Sequence, residues 1–255
     1  MKEVLSLSQI SYSYHTLQGE TVAIQDISFT VKQGDFLAIV GPSGCGKSTL
    51  LHIIAGLLPP SSGTITLNGM PVSECKSEIG YMLQRDHLLE HRTIYKNILL
   101  GLEIQKKMTE NYLLPVESML TEYGLSDFRN AYPRQLSGGM RQRAALIRTL
   151  ALSPNLLLLD EPFSALDYQT RLKVSNDIGS ILKKQKITAI LVTHDLSEAI
   201  SMADRVLILS KRPGTVKKIV PIHFAQMPST PEEARSMPEF ANYFNQIWKE
   251  VKNEE

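Results

Sequence analysis

Cysteine, tryptophan and net charge are all scarce in this 255-residue chain: two cysteines, one tryptophan and a formal charge of +1. Each scarcity excludes something. Cys45 and Cys75 belong to no C-x-x-C pair and no cysteine–histidine cluster. That argues against a disulfide framework or a zinc site and points to a reducing compartment. The 27 basic residues balance 26 acidic ones. There is no bulk attraction to nucleic acid or anionic lipid, so no nucleic-acid partner is expected. No apolar run approaches the roughly 20 residues that span a bilayer. The densest, LLHIIAGLL, is too short, and the opening MKEVLSLSQI lacks the shape of a signal peptide. The chain is therefore expected not to cross a membrane. With 43% apolar and 21% charged residues it is long enough for one large α/β domain, or for a core with an inserted subdomain.

What is present centres on residues 36–57, FLAIVGPSGCGKSTLLHIIAGL. Phe36 to Val40 reads as a buried strand and Thr49 to Leu57 as a helix stopped by Pro59-Pro60. Between them, Gly41-Pro42-Ser43-Gly44-Cys45-Gly46-Lys47-Ser48 fits G-x-x-x-x-G-K-[ST] at every fixed position. Strand, loop and helix in that order are the context that identifies a phosphate-binding P-loop. Glycines let the backbone turn its N–H groups onto a polyphosphate, and the helix start near Lys47 adds its positive dipole end. Lys47 supplies a full charge to the β and γ phosphates, and the Ser48 hydroxyl is placed to ligate Mg²⁺.

Val4 to Ile10, Ile24 to Val31 and Thr64 to Leu67 read as strands of an antiparallel layer, with a polar Gln18-Gly19-Glu20 loop and an Asn68-Gly69 hairpin turn. Ile79 to Leu83 is a further short strand. From about residue 85 to 152 the pattern is helical, with helices expected over Thr93 to Lys107, Pro115 to Tyr123 and Gly138 to Leu152. After it, Asn155 to Asp160, Ile187 to Val192 and Arg205 to Leu209 are strands. Leu166 to Lys184 and Leu196 to Met202 are helices, and this alternation implies a parallel sheet. Pro221 to Pro238 looks loose. Phe240, Phe244, Ile247 and Val251 then mark a short amphipathic helix. The expected fold is α/β: a P-loop NTPase (RecA-like) core with a mostly parallel sheet, an N-terminal antiparallel β layer and an inserted helical subdomain. One domain over 1–220 and a tail over 221–255 are expected.

Two more motifs carry chemistry. Asp160-Glu161 ends the NLLLLD strand. Beside a P-loop, Asp160 can hold Mg²⁺ or its water, and Glu161 can polarise a water against the γ phosphate; alone, such a pair is often a helix cap or solvated turn. Ser137-Gly138-Gly139 opens a basic helix. Ser137 is a good N-cap, and the two glycines expose N–H groups, which makes a second anion site. Plain capping would also explain it.

The P-loop, then Gln84, LSGGMRQR, LLLLDEP, Ser164-Ala165-Leu166-Asp167 and Thr193-His194-Asp195, in that order, resemble the ATP-binding subunit of an ABC transporter over about residues 4–220. The resemblance implies ATP and Mg²⁺ as cofactors and a head-to-tail dimer with a second copy of the chain. In such a dimer Ser137, Gly138 and Gly139 meet the γ phosphate of ATP held on the other copy's P-loop. It implies that Tyr14 stacks on adenine, with Tyr12 as a rival, and that the P-loop through Thr49 binds the nucleotide. Gln84 senses Mg²⁺ and water, Glu161 is the catalytic carboxylate, Asp167 signals across the dimer and His194 contacts the γ phosphate. Met140 stands where the commonest signature has glutamine. LSGGMRQR, LDEPFSALD and residues 209–214 are similar to importer ATPases of the nitrate/sulfonate/taurine type; related importers carry thiamine-precursor pyrimidines. A permease, an indirect extracytoplasmic solute-binding protein and a peripheral place on the cytoplasmic face of the membrane follow. A separately encoded exporter ATPase, a soluble ABC ATPase acting on translation or DNA, and a P-loop kinase are the alternatives. The last leaves LSGGM unexplained.

Overall fold

A computed structural model describes residues 2–17 and 19–252; Gln18, in the expected polar loop, lies outside them. Two sheets organise the fold. The first is antiparallel, in the order β2 (Gly19–Lys32), β1 (Glu3–Thr16), β4 (Ser62–Leu67), β5 (Met70–Pro71). The long β1–β2 ribbon slips register at several places between Leu7 and Ser13. Gln9 and Asp26 sit there at φ 52° and 50°. These irregularities twist the ribbon and break its alternation, so both strands run well past the segments in which apolar residues alternate.

The second sheet has six strands in the order β10 (Val216–Pro221), β9 (Arg205–Leu209), β3 (Phe36–Val40), β8 (Ala189–Val192), β7 (Leu156–Asp160), β6 (Ile79–Met82). The five from β9 to β6 are parallel, and β10 returns antiparallel. Parallel strands are covered on both faces and read as unbroken apolar runs. Every residue of β3 and β8 is buried accordingly. Leu37 and Ile39 point into a core shared with α1 (Lys47–Ile54) and the antiparallel sheet. Phe36, Ala38 and Val40 point into a second core on the other face.

That second core is built from helices α2 (Ile94–Ile104), α3 (Glu110–Glu122), α4 (Gly138–Leu150), α5 (Tyr168–Lys184), α6 (Leu196–Met202) and α8 (Pro238–Lys252). α3 starts at Glu110 and holds Pro115 inside it, five residues after the first. α7 (Pro231–Ser236) falls inside the stretch over Pro221 to Pro238 that pattern alone leaves loose, and β10 is a strand just before it where no element is expected. No helix among the described residues is long and apolar enough to cross a membrane.

Candidate functional site

Because five neighbouring strands are parallel, their C-terminal ends deliver five loops to one edge of the sheet, where ligands bind in open α/β folds. In spatial order these loops carry Arg212 after β9, the P-loop after β3, His194 after β8, Glu161 after β7 and Gln84 after β6. A cleft of about 300 Å³ opens there, lined by Tyr14, Ala23, Arg212, Glu161 and P-loop residues Ser43, Gly44, Gly46, Lys47, Ser48 and Thr49. A larger cavity of about 640 Å³ lies at the opposite edge, beside Asn155 and Thr188. None of the phosphate or carboxylate motifs reaches it.

The P-loop is held from below. Gly46 caps α1 in a left-handed conformation, φ 100°. A Cβ on it would lie 2.5 Å from Ile24 Cγ2 and 3.0 Å from the Ala23 carbonyl. Gly214, in the β9–β10 turn, packs on the loop beside the same Ala23–Gln25 segment: a Cβ there would stand far inside contact distance of the Cys45 carbonyl. Its own N–H donates to Ala23 O and its carbonyl accepts from Gln25 N–H, each at 2.9 Å. Lys47 Nζ donates to the carbonyls of Gly41 at 2.8 Å and Pro42 at 2.9 Å. Cys45 is buried, and burial pushes its thiol up against the opposing pull of Lys47. Tyr14 is exposed, meets Tyr12 edge to face at 5.0 Å, and shares a 3.0 Å hydrogen bond with Thr49 Oγ1. Tyr14, not Tyr12, lines the cleft.

The carboxylates converge on the same edge. Asp160 Oδ2 accepts the Tyr81 hydroxyl at 3.2 Å. Burial raises its carboxyl above the ordinary value, against the pull of Tyr81, His52 and Lys47. Glu161 adopts φ 45°, with its N–H donated to Val192 O at 2.8 Å. A non-glycine residue held there costs on the order of 1–3 kcal/mol, and such strain clusters at functional sites. Its Oε2 faces His194 Nδ1 at 3.1 Å and Gln84 Nε2 at 3.5 Å. Gln84 also donates to Ser164 Oγ at 3.1 Å. Gln142, on α4, braces both loops by donating to the carbonyls of Pro162 and Gln84.

The signature residues sit elsewhere. Ser137 caps α4, accepting from Met140 N–H at 3.3 Å. Gly139 is buried, and a Cβ on it would lie 2.7 Å from Val174 Cγ2; one on Gly138 would lie 3.0 Å from Leu166 Cδ2. These glycines thus set close packing on α5 as well as freeing N–H groups. Asp167 caps α5, and its bond from Thr170 holds its carboxyl below the ordinary value. Neither Ser137, Gly138 and Gly139 nor Asp167 lines the P-loop cleft.

Four contributors escape sequence reasoning as site residues. Tyr81 and Gln142 act through partners far away in the chain, and no local pattern announces them. Ser164 lies within a quoted motif without a role. Arg212 lies within Lys211-Arg212-Pro213-Gly214, where a basic pair directly before a Pro-Gly turn was the available signal.

A P-loop between β3 and α1, with a carboxylate pair at the end of β7 and both at one sheet edge, defines a P-loop nucleoside triphosphatase. The family described as "ABC transporter" matches residues 24–164. The uncharacterised ABC transporter ATP-binding protein YtlC of Bacillus subtilis is 47% identical over 97% of this chain and 95% of its own. The taurine import ATP-binding protein TauB of Pelagibacter ubique is 41% identical over 89% and 86%. The nitrate import ATP-binding protein NrtD of Synechocystis sp. is 36% identical over 95% and 93%. Among solved structures, the ATP-binding cassette MJ0796, a dimer in a post-hydrolysis state bound to ADP and Pi, superposes with a TM-score of 0.73. It is 27% identical and covers 86% of this chain and 99% of that one. The chain belongs to the ABC transporter family, and it is an ATP-binding, ATP-hydrolysing cassette.

Proposed function

We propose that this chain is the ATPase subunit that energises a membrane importer of a small solute, of the nitrate, sulfonate or taurine kind or a pyrimidine precursor. The observation that carries the enzymatic part is the meeting of Glu161 with Gln84 and His194 beside the P-loop cleft. The import role is supported by the likeness to NrtD and TauB.

The residues divide the work as follows. P-loop N–H groups and Lys47 hold the phosphates, and Tyr14 offers its ring to adenine. Arg212 brings a further cation to the same cleft. Ser48, Asp160 and Gln84 offer hard oxygen donors, which suit Mg²⁺. That ion takes one or two carboxylates plus substrate phosphates and waters rather than an all-protein cage. Bound Mg²⁺ would neutralise charge on the phosphates. Glu161 orients and polarises the attacking water, and His194 steadies Glu161 and reaches for the γ phosphate. Ser137 and Asp167 are exposed, and with the N–H groups of Gly138 and Gly139 they would serve the ATP of a second copy, head to tail. MJ0796 is itself dimeric, which supports this reading.

The permease is proposed to dock beside Gln84, on the groove of about 380 Å³ between residues 85–87 and the start of α4. Leu88 is only 7% exposed and belongs to the core, so a charge there would damage the fold rather than the docking surface. Arg85 and His87 are exposed and line the groove. The variant Arg85→Glu with His87→Glu is expected to keep its melting temperature and MgATP affinity and to lose co-purification with its permease. Undiminished co-purification with full ATP-driven uptake would refute this docking site.

A further inference from the structure

The turn that carries His194 is fixed from beneath. β8 ends at Val192 and α6 begins at Leu196. In the turn between, Thr193 donates its hydroxyl to Glu198 Oε2 at 2.7 Å and accepts the Asp195 N–H at 3.0 Å. Asp195 caps α6 through the N–H groups of Ser197 and Glu198. Thr193 and Glu198 are 2% and 5% exposed, so this carboxyl lies inside the protein under the turn. Burial pushes it up to about 7; Asp195 pushes the same way, while Thr193, Arg171 of α5 and His194 pull it down. It therefore ionises near neutrality and a nearby cation favours its charged form.

A cation also comes from the C-terminal segment. Arg235 lies on α7, which packs against both α6 and α5; it donates to Ser175 Oγ of α5 at 3.2 Å, and the charges of Asp195 and Glu198 favour its protonated form against burial. Its Nε is buried without a hydrogen-bond partner. Such a group is retained at a cost. α7 is seated firmly: a Cβ on Gly179 of α5 would lie 2.6 Å from Pro231 Cγ, and the Glu232 N–H donates to Asn176 Oδ1 at 2.9 Å.

We propose that Glu198 and Arg235 are positioning residues, a clamp by which the C-terminal segment holds the His194 turn at its reach from Glu161. Neither touches nucleotide. The idea rests on the reading of His194 as a γ-phosphate contact, and its test separates the two. The full-length chain carrying Arg235→Met is compared with the parent by NMR of the histidine rings, with His194 assigned from its loss in His194→Ala. Hydrolysis is measured in parallel. The His194 resonances are expected to move and kcat to fall about tenfold to hundredfold, as for a misplaced catalytic group. The KM for MgATP should stay nearly unchanged. Arg235→Lys should restore much of kcat, because it keeps the charge; a purely structural loss of the guanidinium packing would not be rescued. Glu198→Gln, which keeps an acceptor for Thr193 and removes the charge, provides the same two readouts if Arg235→Met does not fold. Unmoved His194 resonances and unchanged kcat in the folded variants would overturn the clamp. Moved resonances with unchanged kcat would uphold the clamp and remove His194 from the hydrolytic mechanism.

Discussion

Glu161→Gln is expected to bind MgATP as the parent does and to hydrolyse it about a hundredfold to ten-thousandfold more slowly, the range a positioned general base contributes. The amide keeps the size of the side chain. It can still accept from Gln84 and meet His194, so the loop ends stay assembled. What it loses is the negative charge that, in the proposed role, would draw a proton from water. Binding without turnover should let the ATP-bound dimer accumulate, visible by sedimentation. Phosphate release near the parent rate would remove Glu161 from the reaction.

Lys47→Ala acts one step earlier. Hydrogen bonds to charged groups are worth about 1.5–3 kcal/mol, so nucleotide affinity should fall about tenfold to hundredfold. Lys47 Nζ bonds to the carbonyls of Gly41 and Pro42. These are neutral partners that a polyphosphate can outcompete, so the ammonium is free to swing onto the ligand. The Arg212 side chain in the same cleft will retain some attraction for phosphate, which keeps the loss from being total. Unchanged MgATP affinity in a binding titration would mean that the phosphates lie elsewhere.

The sequence announced this site because its chemistry is local. A P-loop needs glycines, a lysine and a hydroxyl within eight positions, and here an unbroken apolar run precedes it and an apolar stretch stopped by Pro59-Pro60 follows it. Asp160-Glu161 was legible for the same reason: a carboxylate pair directly after an apolar run. Length and supporting contacts were harder to see. β1 and β2 are far longer than their alternating segments because register slips near Gln9 interrupt the period. α3 begins before Pro115, where a reading that lets proline start a helix places its first turn too late. α7 has a start signal, Thr230 before Pro231, with Thr230 Oγ1 accepting the Glu233 N–H at 3.1 Å, but the surrounding prolines hid it. Leu88 lies among charged and polar neighbours in sequence and is nevertheless core, because Asn97 bonds the Leu89 backbone and holds that loop on α2. The brace from Gln142 to the loops of Gln84 and Pro162 joins residues far apart in sequence, which no single-chain pattern encodes.

In the proposed dimer, hydrolysis needs the P-loop of one copy and the Ser137 cap of another. Ser137→Arg should retain ATP on the monomer and fail to dimerise; Lys47→Ala should have a sound signature and a poor P-loop. Mixed together, they can form a dimer in which the good P-loop of one meets the good signature of the other. The decisive measurement is ATP hydrolysis by the mixture against each variant alone. Near-inactive variants and a mixture that recovers activity are expected, as one intact site per mixed dimer requires. A mixture no more active than its parts, or a Ser137→Arg variant that dimerises and hydrolyses ATP by itself, would contradict it.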